Sequence, residues 1–286
     1  MELRYRLAGT GRPRPVSRWF IQTGLWIVLL VSAMLLPFLP GRHDPFAVTL
    51  SVAATGMAFG SLLLVPIGAL WLSSARGYVP ARAGVAVATL VSAGTAVMTA
   101  AVGSLAAAAI FLAACGAWLV HLWRAVRSAQ ANGTTLPRSA AVALIVVPLA
   151  ATAARVAIVG PAAQWSRERV IANSAEIIRD IERFRERTGA YPAAISSLWP
   201  DYQPGIIGVE RYRYEPSGQA YNLYFEHPST DFAAREIVMY NPRGEQDFSS
   251  HAADLLQLSP EDIRRQRGYF RSEPLAQANW KRFLFD

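Results

Sequence analysis

The side chains that could carry acid–base, nucleophilic or metal chemistry are few and far apart in this sequence. There are four histidines, His43, His121, His227 and His251, and a single cysteine, Cys115. No two of them have the short spacing that places metal ligands on one helix or in one loop. The sequence therefore predicts no metal site, and a lone cysteine excludes a disulfide within the chain.

Two of the histidines are accompanied by residues that a hydrolase could use. His227 and His251 fall in predicted loops, with a serine and an aspartate near each: Ser229 and Asp231, and Ser249, Ser250 and Asp254. Such residues can act as nucleophile, base and orienting acid. However, the Gly-x-Ser-x-Gly turn that presents a nucleophilic serine is missing, as is a phosphate-binding glycine-rich loop. We interpret these residues as turn residues and predict no catalytic or cofactor-binding residue and no enzymatic activity.

A third candidate is the turn-rich stretch 241–247, which contains Glu245 and Asp247. Carboxylate oxygens in a turn can bind Ca²⁺, but the ligand spacing of an EF-hand loop is absent from this stretch. We interpret it as a solvated loop, and whether it binds calcium is left open.

Charge is distributed very unevenly along the chain. The protein is 52% hydrophobic, with a formal net charge of +8. Residues 1–161 contain 12 basic and 2 acidic side chains, whereas residues 162–286 contain 16 and 18. The basic excess thus lies in short segments between apolar runs, as the positive-inside rule describes. Because the second part has no basic face interleaved with aromatic residues, no nucleic-acid partner is predicted.

The apolar runs predict an α-helical polytopic membrane bundle within residues 19–160, after a basic N-terminal segment, 1–18. The five predicted helices cover about 19–39, 46–72, 83–102, 105–123 and 140–159. The first run is too long for the core of a signal peptide and lacks a cleavage site, so we interpret it as a retained anchor. The third and fourth come from one stretch about twice as long as a membrane crossing, with a turn near Gly103-Ser104.

The arginines predict the topology of this bundle in the lipid bilayer. Ten of them lie in the N-terminal segment, the loop between helices two and three, and the loop between helices four and five. The positive-inside rule places these three segments in the cytoplasm. Five crossings then put residues 161–286 on the outer side of a bacterial cytoplasmic (inner) membrane, which is the periplasm if the cell has an outer membrane.

Polar groups inside the predicted membrane helices are rare. No Asp or Glu occurs in the five runs, which argues against a proton-coupled transporter or an intramembrane protease. Arg155 lies near an outer end, where snorkelling is favoured over binding an anionic lipid or substrate. Cys115 is interpreted as a small apolar residue at a helix interface. Gly56-x-x-x-Gly60 could form a dimerisation face, but we favour packing within the bundle.

The second part of the chain predicts a small α+β domain, in which a long helix packs on an antiparallel sheet. Apolar spacing predicts one amphipathic helix over 164–188, with a stripe of five residues: Ile171, Ala175, Ile178, Ile181 and Phe184. Strands are predicted over 209–214, 220–226 and 236–240, and 280–285 is strand-like or a docking segment. Ser259 and Pro260 predict the start of another helix.

These features resemble the globular region of type IV pilin-like proteins, most closely the major pseudopilin of type II secretion. The likeness covers about residues 180–240 and is carried by ten positions: Ile181, Phe184, Gly189, Tyr191, Pro192, Ile195, Leu198, Tyr212, Tyr214 and Tyr221. It implies an extracytoplasmic domain, and some domains of the family bind calcium in a late loop. The chain departs from the family in lacking a prepilin-peptidase site and the glutamate of the first helix, so assembly into a fibre is not expected.

Two functions of different classes are compatible with this sequence. We favour a non-enzymatic envelope protein whose bundle anchors a pseudopilin-like domain for binding another envelope protein. The alternative is a small-molecule or lipid transporter, or an accessory to one. A sensor is disfavoured because no cytoplasmic output domain is present. The first predicts an exposed apolar or aromatic patch on the domain, and the second a polar cavity within the bundle.

Overall fold

The described part of the chain forms a helical bundle and a five-stranded antiparallel sheet. This computed structural model describes residues 16–75, 77–102, 105–136, 138–198, 201–217, 219–230, 234–246 and 269–285. The bundle contains six of the helices: α1 (Val16–Leu35), α2 (Pro45–Gly60), α3 (Leu64–Ser73), α4 (Tyr78–Val102), α5 (Leu105–Ala131) and α6 (Arg138–Ala154). Short 3₁₀ turns follow α1 and join α2 to α3.

Three helical stretches of the described chain are long and apolar enough to cross a membrane: Pro45–Ser73, Tyr78–Ala101 and Arg138–Thr188. Thr23–Phe38 is a shorter apolar helix. Helices therefore occupy all five predicted runs, whereas the number of five crossings stays a prediction. The turn expected at Gly103-Ser104 lies outside the described residues, and α5 continues beyond the predicted end at residue 123.

Glycines allow the bundle helices to approach closely. A Cβ at Gly60 would lie 2.6 Å from Val91 Cγ1, and one at Gly56 would lie 3.2 Å from Thr95 Cγ2, both on α4. A Cβ at Gly68 would lie 2.8 Å from the Ala141 carbonyl oxygen on α6. Both glycines of the Gly56-x-x-x-Gly60 motif thus face a helix of the same chain, as expected for packing within the bundle.

Buried hydroxyls of the bundle bond to helix carbonyls. Thr49 donates to Pro45 O at 2.6 Å, and Thr99 donates to Thr95 O at 2.6 Å. Ser51 on α2 donates to Met34 O on α1 at 3.0 Å. Because a polar group in hydrocarbon needs a partner, these bonds explain how the hydroxyls are tolerated between helices.

The last bundle helix continues into the domain. It passes from α6 through a π-helical turn (Arg155–Val159) into α7 (Gly160–Asn173) and α8 (Ala175–Thr188). The turn ends two residues before Pro161, which has no N–H to donate to the preceding turn. The helix predicted over 164–188 is interrupted at Ser174, so the predicted apolar stripe is wrong at Ala175, which is exposed. The helix ends at Thr188, as the predicted range 164–188 has it, and Gly189 follows with φ of +79°.

The sheet has the strand order β1-β2-β3-β5-β4, and every neighbouring pair is antiparallel. Its strands are β1 (Arg213–Ser217), β2 (Ala220–His227), β3 (Arg235–Tyr240), β4 (Tyr269–Pro274) and β5 (Trp280–Phe285). The predictions for β2, β3 and β5 are confirmed, whereas β4 was not predicted. The strand predicted over 209–214 is wrong at its start, because Val209 N–H closes a turn onto Ile206 O at 3.1 Å. The helix predicted at Ser259 lies outside the described residues.

The core of the domain lies between α7–α8 and one face of the sheet. Ile177 and Ile181 of α8 are fully buried against Leu223, Phe225 and Val238. These strand residues alternate along β2 and β3, so the period-two pattern selects the face that meets the helix.

Candidate functional site at the junction of bundle and domain

The loop between α1 and α2 pairs with a segment of the domain. Gly208 N–H donates to Pro37 O at 2.8 Å, and Ile207 N–H donates to Leu39 O at 3.0 Å. In the other direction, Gly41 N–H donates to Gly205 O at 3.0 Å. We call this paired region, residues 37–44 and 204–208, the seam. It is a second connection between bundle and domain, in addition to the continuous helix.

Close packing and two side chains reinforce the seam. A Cβ at Gly208 would overlap the Pro228 ring and lie 2.6 Å from Pro37 O, so no larger residue fits. His43 Nδ1 lies 3.0 Å from Ile207 O. Arg155 donates from Nη2 to Thr230 O in the β2–β3 connection at 2.9 Å. The guanidinium predicted to snorkel therefore contacts the backbone of the domain, while its Cζ lies 5.4 Å from the centroid of the Phe59 ring on α2.

A buried polar network lies beside the seam, between α7 and the sheet. Ser166 Oγ lies 2.7 Å from His227 Nε2, and His227 Nδ1 lies 3.2 Å from Glu236 Oε1. Arg167 Nε donates to Glu236 Oε1 at 2.8 Å, and Arg282 Nε lies 3.1 Å from Glu236 Oε2. Ser166 and Glu236 are fully buried and His227 is 2% exposed, whereas the Arg282 side chain is 17% exposed at the edge of the network.

Strand geometry places the network on the core face of the sheet. His227 follows Tyr221, Leu223 and Phe225 at period two on β2, and it is the cross-strand partner of Glu236 on β3. Arg282 on β5 is the partner of Val238, two residues beyond Glu236. Side chains at alternate positions of paired strands point to one face, so these three polar groups meet under α7.

The charges of the network determine its protonation. Burial opposes ionisation of Glu236, but His227, Arg167 and Arg282 outweigh it and lower the pKa of that carboxyl to about 2. Burial, with the two nearby guanidinium groups, lowers the pKa of His227 despite the attraction of Glu236. At neutral pH the imidazole is thus neutral, with Nε2 in contact with Ser166 Oγ and with Nδ1 near the carboxylate but without a hydrogen bond of normal geometry.

The order serine, histidine, carboxylate is that of the triad used in acyl transfer. Two features distinguish this site from such a triad. Ser166 lies in the interior of α7, where backbone N–H groups are bonded to carbonyls four residues earlier and cannot form an oxyanion hole. In addition, Phe38 of the seam covers the imidazole, with ring centroids 6.0 Å apart. The network therefore acts as a clamp between helix and sheet.

The structure changes the sequence-based interpretation of the candidate residues. The prediction of His227 as a loop residue beside Ser229 and Asp231 is wrong, because it ends β2 and pairs with Glu236 and Ser166. Several other candidates lie outside the described residues: Asp231, Asp247, Ser249, Ser250, His251 and Asp254. The side chain of His121 is not described either, whereas Cys115 is a half-buried residue of α5.

The calcium candidate forms a tight turn. Asn241 Oδ1 accepts from Arg243 N–H at 2.9 Å, and Asn241 Nδ2 donates to Asn222 Oδ1 at 2.8 Å. Gly244 follows with φ of +73°. Over the described residues, no group of three or more His, Cys, Asp or Glu is close enough to hold a metal ion.

Sequence reasoning missed Ser166, Arg167, Glu236 and Arg282. A usable signal was the alternation that places His227 and Glu236 on the same face as Phe225 and Val238. A second signal was that Ser166 lies one helical turn before the buried Val170.

Exposed apolar side chains are scarce on the domain. Within the described residues beyond Val159, Trp165 is the only large apolar side chain that is strongly exposed, at 48%. A cleft beside α8 has a charged lining that includes Asp180, Arg183 and Arg187. The apolar patch expected for a binding domain is therefore not seen in the described part.

Three comparisons with known proteins bear on this chain. No family model, no curated protein and no solved structure matches it. The likeness to pilin-like domains accordingly stays a prediction from the sequence.

Proposed function

We propose that this protein is a five-crossing protein of a bacterial cytoplasmic membrane that holds an extracytoplasmic domain in a fixed orientation for binding another envelope protein. The arginine-rich segments support a cytoplasmic N-terminus. The three stretches long and apolar enough to span a membrane support the anchoring role.

The observation that carries this proposal is the double connection between bundle and domain. A tether that only retained a domain at the membrane would need one flexible link. Here a continuous helix, the seam and the Arg155–Thr230 bond all join the two parts. Links at several points restrict rotation of the domain about the helix axis. This restriction is useful if one surface has to face a partner at a defined height above the membrane.

The surface chemistry indicates how a partner would be recognised. Because strongly exposed apolar residues are scarce in the described part of the domain, recognition is expected to use charged and polar groups such as those of α8. Charged surfaces contribute more to association rate and selectivity than to affinity, so binding should weaken as salt is raised.

Topology is tested with a reporter enzyme that is active only outside the cytoplasm. Fused after Asp286 it should be active, and fused after Gly133, in the loop between α5 and α6, it should be inactive. Inactivity after Asp286 together with activity after Gly133 would reverse the orientation and refute the proposal.

Partner binding is tested by photo-crosslinking in living cells. A photoreactive amino acid at the exposed Arg183 of α8 should capture an envelope protein, and the yield should fall at high salt. The same amino acid at the exposed Arg127 of α5, on the predicted cytoplasmic side, is the matched control. Equal capture at both positions, or capture of lipid alone at Arg183, would contradict a role in binding an envelope protein.

A further inference from the structure

His227 belongs both to the buried network and to the wall of the seam. Its ring faces Phe38, and the next residue, Pro228, is the side chain that a Cβ at Gly208 would overlap. Phe38 and Pro37 belong to the bundle side of the seam, whereas His227 and Pro228 belong to the sheet. A change in the charge of the imidazole therefore acts directly on residues that pair the bundle with the domain.

The charged groups around His227 balance only while the imidazole is neutral. Arg167 faces it from α7, Glu236 from β3 and Arg282 from β5. Behind Arg282, Glu273 of β4 lies 3.6 Å from Nη1, and it also contacts the exposed Arg271. The two inner guanidinium groups are thus matched by two carboxylates, and a protonated His227 would add an unmatched positive charge.

Hydrogen bonding does not prevent this protonation. A protonated imidazole donates from Nε2, and Ser166 Oγ can accept this hydrogen bond because its own hydrogen is donated to Ala163 O at 3.0 Å. The penalty for protonation is therefore burial of charge rather than loss of a bond. This penalty is relieved where water reaches the ring. Phe38 lies on the short 3₁₀ turn after α1, whereas the remaining cover is α7 and the sheet.

We propose that the junction is a pH-sensitive latch, in which protonation of His227 opens the seam at Phe38 and frees the domain to rotate. This proposal rests on the proposed function only in one respect, the compartment whose pH acts on His227, which is then the outside of the cell. The device itself does not depend on the orientation in the membrane.

The direction of the response follows from linkage. Burial lowers the pKa of His227 below its ordinary 6.5, so the closed form binds fewer protons than a form in which the ring is solvated. The closed form is then fully favoured above about pH 6.5 and loses this advantage as the pH falls below it. Glu236 changes the balance only below its ordinary pKa of 4.5, so a comparison that ends at about pH 5 reports mainly on the histidine.

The latch is tested by measuring a distance across the seam in the purified full-length chain. Spin labels at R42C and E210C, in a C115A background, lie on exposed residues of the two sides. At about pH 7.5 one distance is expected, and at about pH 5 a second, longer population should appear. H227Q should remove this second population. H43Q, which changes the other histidine at the seam, should keep it.

Two results would overturn the latch. One is an unchanged distance in the otherwise wild-type chain between the two pH values, which needs no further variant. The other is retention of the second population in H227Q, whatever the result in H43Q. Because the experiment uses purified protein, its outcome is separate from that of the reporter and crosslinking tests of the proposed function.

Discussion

The two ends of the interface between helix and sheet differ in chemistry. At the end far from the bundle, Ile177 and Ile181 pack on Leu223 and Val238 with no charge involved. At the end near the bundle, the same sheet face carries the polar network around Glu236. Apolar packing stabilises without direction, whereas a buried charge cluster adds little net stability but fixes a geometry. The comparison indicates that the orientation of α7 relative to the sheet is fixed where the domain meets the bundle helices.

The largest effect is expected from E236Q. Removing the carboxylate charge takes the counter-ion from the buried Arg167, while Arg282 keeps Glu273 at 3.6 Å, and it should lower the free energy of unfolding by about 3–5 kcal/mol. Hydrogen exchange of the β2 and β3 amides measures this loss. The control is E226Q, which removes the exposed pair with Arg235 at 2.9 Å and should cost about 1 kcal/mol or less. Similar losses in both variants would show that the network is not a clamp.

At the apolar end, I181A should cost about 3 kcal/mol, because it leaves a cavity at a fully buried position. I178A, at a partly buried neighbour, should cost about 1 kcal/mol. The same amide exchange measures both variants. The spin-label distance across the seam should stay unchanged in I181A. A widened seam would show that the two ends are coupled, which would remove the contrast between them.

The seam can be perturbed by a substitution that changes neither the apolar core residues nor the polar network. G208A forces a Cβ against Pro228 and Pro37 O and should cost about 1–3 kcal/mol, measured as faster exchange of the 206–208 amides. G94A is the matched control, since a Cβ there has no neighbour within 4 Å. If G208A left the seam amides as protected as in the wild type, the close packing described here would be incorrect.

The smallest effects come from two core tyrosines. Tyr212 OH donates to Val170 O at 2.7 Å, so Y212F should cost about 1 kcal/mol. Tyr221 OH is buried without a hydrogen bond of normal geometry, so Y221F should be neutral or slightly stabilising. Thermal unfolding of the two variants beside the wild type checks the order, and a larger loss in Y221F would show that its hydroxyl has a partner.

Local patterns in the sequence predict most of the fold. Long apolar runs predict the bundle helices, period-two alternation predicts β2, and short strand-like runs predict β3 and β5. The strand β4 was missed, and its register with β5 is irregular between Tyr269 and Arg271. An irregular edge strand gives a weak alternating signal.

The junction could not be predicted in the same way, since its partners are far apart in the chain. His43 and Ile207 are separated by 164 residues, and Arg167 and Glu236 by 69. Nothing in the local sequence of either partner specifies the other. Alternation could place His227 and Glu236 on the core face, but only the packing of α7 shows that Ser166 completes the network.

The π-helical turn at Arg155–Val159 has a geometric consequence for the whole assembly. One residue of an α-helix corresponds to a rotation of about 100° and a rise of about 1.5 Å. A turn that is wider by one residue therefore determines the rotation, about the helix axis, of the chain that follows it. Deleting Ala157 would swing α7 by roughly a quarter of a circle and turn Ser166 away from the sheet. The orientation of the domain relative to the bundle thus depends on the number of residues in a single helical turn.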